Sequence, residues 1–101
     1  MSARRNTFHL TPAARGQLKH IATHTQQQWG KQQRDRYLKQ LYARFNELAA
    51  KPQLGKARDE ILPGLRSAHE GSHIIYFTVI AGGIAIIGVL HRRMDTALEF
   101  E

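Results

Sequence analysis

Arginine, histidine and tyrosine are the residues of this chain whose types could carry chemistry. Arg58, Arg66, His73, Tyr76 and His91 all fall in its second half. Arginine can hold a phosphate while histidine and tyrosine move protons, so these side chains together could cleave RNA. The same side chains could instead dock on an acidic surface through charge-assisted hydrogen bonds. Scattered, solvated charge is the third interpretation of the pattern.

Six histidines raise the question of a metal site. His20 and His24 are four residues apart on a predicted helix, a spacing at which two imidazoles can bind one ion. No glutamate stands between them as in a metalloprotease helix, and the absence of cysteine excludes a thiolate zinc site. We therefore expect two exposed helix histidines, no metal and no cofactor. The sequence also contains no nucleophile elbow, phosphate loop or dinucleotide fingerprint.

The charge balance points to an acidic partner. The formal net charge is +7 and the isoelectric point is near 10.4. Such values are typical of proteins that bind nucleic acid, an acidic protein or a protein–DNA complex. The length fits a single domain, residues 1–101. No N-terminal apolar segment resembles a signal peptide, so we expect a cytoplasmic protein.

One apolar stretch must organise the elements that position these side chains. Between His73 and His91 every residue is apolar, a glycine or the lone Thr78. A membrane-spanning helix needs about 20 apolar residues, or about 17 at the least, and it has no need of a central glycine pair. Two arms rich in isoleucine and valine around Gly82-Gly83 favour a β-hairpin with a two-residue turn. Because both faces of the arms are apolar, we expect central strands covered on both faces, or on one face by a partner.

The first half of the chain predicts one strand and two helices. Residues 7–10 alternate as a short strand, and Thr11-Pro12 has the chemistry of a helix start. That helix runs to about Trp29 and ends at Gly30, and the second runs from about Lys31 to Ala50. Apolar residues recur at helical spacing on both. The expected inner faces are Ala14, Leu18, Ile21, Ala22, Thr25 and Trp29 on the first helix, and Leu38, Leu41, Phe45 and Leu48, widened by Tyr37, Tyr42 and Ala49, on the second.

The remaining segments complete an α+β fold. Residues 53–63 are mostly polar and predict an irregular segment, whereas residues 65–70 predict a strand that turns into the first hairpin arm. The order is therefore β-α-α-β-β-β. We expect the helical hairpin to pack on one face of a small antiparallel sheet.

A set of ordered segments carries a family resemblance. They are residues 55–59 (GKARD), 62–67 (LPGLRS), 73–77 (HIIYF) and 89–95 (VLHRRMD), with 10–14 (LTPAA) and Trp29-Gly30. The set resembles the ParE branch of the RelE/ParE toxin superfamily and covers about residues 7 to 95. The resemblance implies a small basic toxin of a type II toxin–antitoxin module. ParE-like members are held inactive by a ParD-like antitoxin and poison DNA gyrase when freed.

RelE-like relatives in the same superfamily cut messenger RNA on the ribosome, and this sequence departs from their pattern. Gly88 stands where many relatives carry arginine, Thr78 replaces a position that is often basic, and Phe100 has no proton to exchange. These departures favour a gyrase-directed toxin without its own catalytic site. The alternative is a ribosome-dependent mRNA endoribonuclease that uses the arginines, histidines and tyrosine named first. A member that has lost toxicity but still binds its antitoxin also fits the sequence.

The resemblance also yields predictions for each binding surface. For gyrase we expect contacts from Arg58, Arg66, His91, Arg92, Arg93 and Met94, with Asp95 orienting an arginine. For an amphipathic, acidic antitoxin segment we expect contacts from Leu38, Leu41, Tyr42, Phe45 and Arg58, although Leu41 and Phe45 also suit the core. The expected assembly is a toxin–antitoxin hetero-oligomer, with no membrane association and no sequence-specific nucleic-acid binding by the toxin itself.

Overall fold

The structure, a computed structural model, describes residues 6–93. Its strands and helices follow the predicted order, with one short strand added before the meander. The elements are β1 (Thr7–Leu10), α1 (Pro12–Trp29), α2 (Lys31–Ala50), a 3-10 turn (Pro52–Leu54), β2 (Lys56–Ala57), β3 (Leu65–Glu70), β4 (His73–Ile80) and β5 (Gly83–His91). The α+β class and the helix bounds are therefore confirmed. Two residues of β2 are too few to show a pattern in sequence, which is why that strand was missed.

The five strands form one mixed sheet in the order β1-β5-β4-β3-β2. Neighbouring strands from β2 to β5 pair antiparallel, but β1 pairs parallel with β5, with Thr7 opposite Gly83 and Leu10 opposite Ile86. The expected antiparallel meander of β3, β4 and β5 is confirmed, whereas the parallel pairing of β1 makes the sheet mixed rather than antiparallel throughout. Parallel neighbours need a long connection, and here α1, α2 and the meander provide it. They bring β5 back beside β1, running in the same direction.

Thr11 ties the start of α1 to the sheet. Its Oγ1 accepts a hydrogen bond from the Ala14 amide at 3.2 Å, as an N-cap does, and donates one to the Ile86 carbonyl at 3.0 Å. The Thr11 amide donates to the same carbonyl at 3.2 Å. Gly30 ends the helix with a φ of 91° and turns the chain into α2.

The helical hairpin covers one face of the sheet. Ala14, Leu18 and Ile21 of α1 and Leu41, Phe45 and Leu48 of α2 pack against Ile75, Phe77, Ile84, Ile86 and Val89 of the central strands. Two predicted inner residues are exposed instead: the Tyr42 side chain of α2 to 38% and, most of all, the Trp29 side chain to 74%. Trp29 is the last residue of α1, at the tip of the hairpin, so its helical spacing does not bring it over the sheet.

The opposite face of the sheet has a smaller apolar cluster. Leu65, Ile74 and Tyr76 are buried there, with Ile61 of the preceding segment packed against them. Both faces of the central strands are therefore covered in part by the chain itself, as predicted. Among residues 6–93, no helix is long and apolar enough to cross a membrane.

The β4–β5 turn lies one residue earlier than predicted. Ile80 pairs with Gly83, so the turn residues are Ala81 and Gly82, the latter with a φ of 79°. Gly83 is the first residue of β5 instead, and a Cβ on it would lie 1.7 Å from the Thr7 carbonyl oxygen. The glycine pair thus meets two separate demands, a turn at Gly82 and the close approach of β1 at Gly83.

Candidate functional site

A basic concavity lies on the sheet face away from the helices. It encloses about 640 Å³, and its basic lining comes from Lys56, Arg58, His69, Arg92 and Arg93. β2 and the segment after it supply Lys56 and Arg58, whereas Arg92 and Arg93 follow directly on β5. Three predicted gyrase contacts, Arg58, Arg92 and Arg93, are thereby brought to one place. Positive groups around a hollow attract an anionic partner.

Arg58 is the best-anchored side chain of this basic concavity. Its Nε donates to Glu60 Oε2 at 2.7 Å and its Nη1 donates to Ser67 Oγ at 3.2 Å. Its guanidinium carbon lies 5.9 Å from the centroid of the Tyr76 ring, a cation–π distance. The hydrogen bond from Arg58 also lowers the pKa of the Glu60 carboxyl. Arg58 is thus held rigidly at the edge of the concavity, with its charge partly balanced by Glu60.

Arg66 does not reach the concavity. Its Nε donates to the Pro52 carbonyl at 3.0 Å and its Nη2 donates to the Gly55 carbonyl at 2.5 Å. The structure therefore separates Arg66 from the other predicted target contacts, since neighbouring residues of a strand point to opposite faces. Ser67 lies toward the concavity, and Arg66 therefore points toward the segment after α2.

A second concavity runs along α1 on the helix-bearing side of the sheet. It encloses about 970 Å³. We call it the imidazole groove, and its defining residues are His20, His24 and Trp29 of α1, Tyr37 of α2, His73 of β4 and His91 of β5. Within residues 6–93, no group of three or more histidine, aspartate or glutamate side chains is arranged to hold a metal ion. Sequence patterns did not predict this groove, because its walls come from elements far apart in the chain.

His73 is fixed at one end of the imidazole groove. Its Nδ1 lies 2.6 Å from the Tyr37 hydroxyl, and its ring is 5.5 Å from that of His91, its partner across β4 and β5. Burial lowers the pKa of His73 to about 4, and the nearby charges of His91 and His24 act in the same direction. His73 is therefore neutral near pH 7.

Tyr37 joins α2 to the turn between β3 and β4. Its hydroxyl accepts a hydrogen bond from the Ser72 amide at 3.2 Å and lies 3.2 Å from the Glu70 carbonyl. Burial raises the pKa of Tyr37, so the hydroxyl keeps its proton. The pair that Tyr37 forms with His73 is a neutral, structural one.

The side chains proposed for RNA cleavage are divided among three places. Arg58 and Tyr76 lie on the face away from the helices, Arg66 holds the segment after α2, and His73 and His91 line the imidazole groove. Tyr76 is 3% exposed and packs with Leu65 and Ile74. The five side chains therefore do not surround one reaction centre.

The predicted antitoxin contacts are divided as well. Leu41 and Phe45 are 0% exposed and belong to the core, which is the role that the sequence also suggested for them. Leu38 is partly exposed, and Tyr42 is 38% exposed and packs on Phe8. Arg58 lies on the other face of the sheet rather than beside α2. The predicted contacts Met94 and Asp95 lie outside the described residues.

The fold and the two concavities define a small, basic α+β protein with a concavity on each side of its sheet. A family model described as "ParE toxin of type II toxin-antitoxin system, parDE" matches residues 8–96. The chain belongs to this family of ParE toxins.

Relatives of known name agree with this assignment. Toxin ParE1 of Mycobacterium tuberculosis is 41% identical over 87 residues, covering 85% of this chain and 89% of the relative. Toxin ParE1 of Caulobacter vibrioides is 31% identical over 88 residues, covering 87% and 91%. A solved chain from the "Chromosomal ParDE TA system from P. aeruginosa" superposes with a TM-score of 0.72 over 88% of this chain and 98% of its own length. At 18% identity, that likeness shows the fold alone.

Proposed function

We propose that this chain is a cytoplasmic toxin that poisons DNA gyrase and is held inactive by a ParD-like antitoxin. The observation that carries the proposal is the basic concavity, where Arg58, Arg92 and Arg93 converge while the tyrosine and the two histidines considered for RNA cleavage do not line it. Tyr76 is covered, and His73 and His91 line the other side of the sheet. Such a surface binds an anionic target and leaves cleavage to the target's own chemistry.

Gyrase and its bound DNA together offer the anionic surface that this concavity requires. A toxin that stabilises the DNA-cleaved state of the enzyme needs contact residues but no nucleophile of its own. Membership of the ParE family supports this target over the ribosome. The same membership supports the antitoxin, whose acidic, amphipathic segment would neutralise a chain of net charge +7.

The test compares two activities of the purified chain. With gyrase and plasmid DNA we expect linear DNA after denaturation of the cleavage complexes, and with ribosomes and programmed messenger RNA we expect intact RNA. Codon-positioned RNA cuts that disappear in Tyr76→Phe, with no gyrase complexes, would overturn the proposal in favour of the endoribonuclease. In that outcome the basic concavity would be an RNA site.

Two double variants that remove the same amount of charge test where the gyrase surface lies. Arg92→Ala with Arg93→Ala removes two positive charges from the basic concavity, and we expect cleavage complexes to fall about tenfold or more. Arg36→Ala with Lys39→Ala removes the same charge from the exposed side of α2, and we expect wild-type activity. Equal losses in both pairs would mean that net charge, rather than this concavity, governs the effect. Both pairs should retain antitoxin binding by isothermal titration calorimetry.

A further inference from the structure

The outer edge of β5 is only half paired. β1 runs beside β5 from Gly83 to Ile86 and stops there, because Thr11 caps α1 and leads the chain away from the sheet. β5 itself continues to His91. Among residues 6–93, no strand pairs with residues 87–91 on the side of β1. Unpaired strand edges are templates for the addition of another strand.

A side chain occupies this edge in place of a strand. Gln17 of α1 reaches down, and its Oε1 accepts a hydrogen bond from the Val89 amide at 2.7 Å. The surface of α1 beside Gln17 is unusually open: a Cβ added to Gly16 would meet nothing within 4 Å, and Ala13 has a short side chain. An incoming backbone could therefore approach Val89 and replace the Gln17 oxygen with a carbonyl oxygen.

The residues that line the imidazole groove indicate which side chains an added segment should carry. Residues 87–91 form its floor through Val89, Leu90 and His91. Its walls carry the imidazoles of His20 and His24 and the exposed ring of Trp29, and no carboxylate of residues 6–93 lines it. Imidazole N–H groups donate hydrogen bonds to carboxylates, while the exposed Trp29 ring offers apolar contact. The matching ligand is an extended segment in which acidic and apolar residues alternate.

We propose that the antitoxin adds such an acidic segment to the β5 edge as a sixth strand, in line with β1, and displaces Gln17 from Val89. This inference rests on the proposed function, because the segment belongs to the ParD-like antitoxin. Backbone hydrogen bonds to residues 87–91 supply affinity, and the imidazole groove selects the acidic side chains. Antitoxin binding is thereby placed on the helix-bearing side, opposite the basic concavity.

The first experiment measures hydrogen exchange at the Val89 amide. Gln17→Ala removes the acceptor that the free toxin uses, so we expect this amide to exchange rapidly in the free variant. In complex with the full-length antitoxin encoded beside this chain, the same amide should exchange at least about 100-fold more slowly, as a paired strand amide does. Unchanged exchange at Val89 in a complex that forms would overturn this inference and leave the proposed function intact.

The second experiment fills the groove. Gly16→Glu adds bulk and negative charge beside the edge, and we expect the Kd for the antitoxin to rise by about tenfold or more. Gly16→Ala places only a methyl group there and should bind within about twofold of wild type. Lys19→Gln makes the same change of one charge on α1 outside the groove and should also bind normally. Equal affinity for Gly16→Glu and Gly16→Ala would contradict the proposed site.

Two further outcomes separate the possible causes of failure. If the wild-type chain does not bind the antitoxin at all, the proposed function and this inference are both overturned. If the free Gln17→Ala variant already protects Val89, and deletion of residues 94–101 removes that protection, the occupant of the edge is the chain's own tail rather than the antitoxin. That result would overturn this inference alone.

Discussion

The Tyr37 hydroxyl lies 2.6 Å from His73 Nδ1, and this contact joins the second helix to the central hairpin of the sheet. The same hydroxyl accepts a hydrogen bond from the Ser72 amide and lies 3.2 Å from the Glu70 carbonyl. A Cβ on Gly71 would lie 2.7 Å from the hydroxyl oxygen, so the turn closes tightly around this ring. Tyr37 therefore fixes the β3–β4 turn and one end of the imidazole groove together.

We expect Tyr37→Phe to lower the free energy of unfolding by about 1–3 kcal/mol, because it leaves the Ser72 amide and His73 without their partner. Tyr42→Phe is the matched control, since Tyr42 packs through its ring on Phe8 and Phe45 at the surface of α2. That variant should change stability by less than about 0.5 kcal/mol. Urea titration of both variants makes the comparison, and equal stabilities would show that the Tyr37 hydroxyl contributes nothing.

The lowered pKa of His73 predicts that stability falls in mild acid. Below pH 6.5 the unfolded chain takes up a proton on this ring, whereas the folded chain takes it up only near pH 4, so acid favours unfolding. His91 and His24 oppose protonation of His73, and the neutral Tyr37 hydroxyl offers no compensating charge. The pKa difference, discounted for the partial exposure of the ring, corresponds to about 1–2 kcal/mol between pH 6.5 and 4.

His73→Gln isolates this contribution. Urea titrations at several pH values between 7 and 4 should show a shallower loss of stability in the variant than in the wild type. The variant will be less stable at neutral pH, so the slope of stability against pH, rather than its value, is the measurement. Parallel slopes would mean that His73 takes up its proton equally in both states.

Gly83 should be far less replaceable than its neighbour Gly82. A Cβ on Gly83 would overlap the Thr7 carbonyl, so Gly83→Ala must push β1 away from β5, and we expect a loss of about 2–4 kcal/mol. Gly82 has a φ of 79° but open space around it, and Gly82→Asn should cost less than about 1 kcal/mol because asparagine tolerates this region. Thermal unfolding of both variants is the test. Similar losses of stability would contradict the idea that the close approach of β1 makes Gly83 the more demanding position.

Local chemistry explains why most of the fold could be predicted. The Thr11-Pro12 start, Gly30 and the spacing of Leu41, Phe45 and Leu48 each act within a few residues, and the structure confirms the helices that they predict. The parallel pairing of β1 with β5 depends on a connection of more than 70 residues between Leu10 and Gly83. Periodicity carries no information about such a pairing.

The candidate sites were harder to predict, because they depend on which face of an element each side chain takes. Arg58 and Arg66 look equivalent in sequence, but only Arg58 lines the basic concavity. Trp29 continues an apolar stripe of α1 and is nevertheless exposed, since the last turn of the helix extends beyond the sheet. The role of Gln17 as a substitute for a strand has no local signal, because it depends on where β1 ends and on Val89, which lies 72 residues from Gln17 along the chain.

The separation of Arg66 from the basic concavity gives the sharpest test of the site. Arg66→Gln removes charged hydrogen bonds to the Pro52 and Gly55 carbonyls, and we expect the free energy of unfolding to fall by about 1–3 kcal/mol. Arg92→Gln makes the same change of charge at an exposed position and should cost less than about 0.5 kcal/mol. Gyrase cleavage complexes, measured per amount of folded toxin, should be unchanged in Arg66→Gln and reduced in Arg92→Gln. A stable Arg66→Gln variant with lost gyrase activity would return Arg66 to the target surface and contradict its role as a structural anchor.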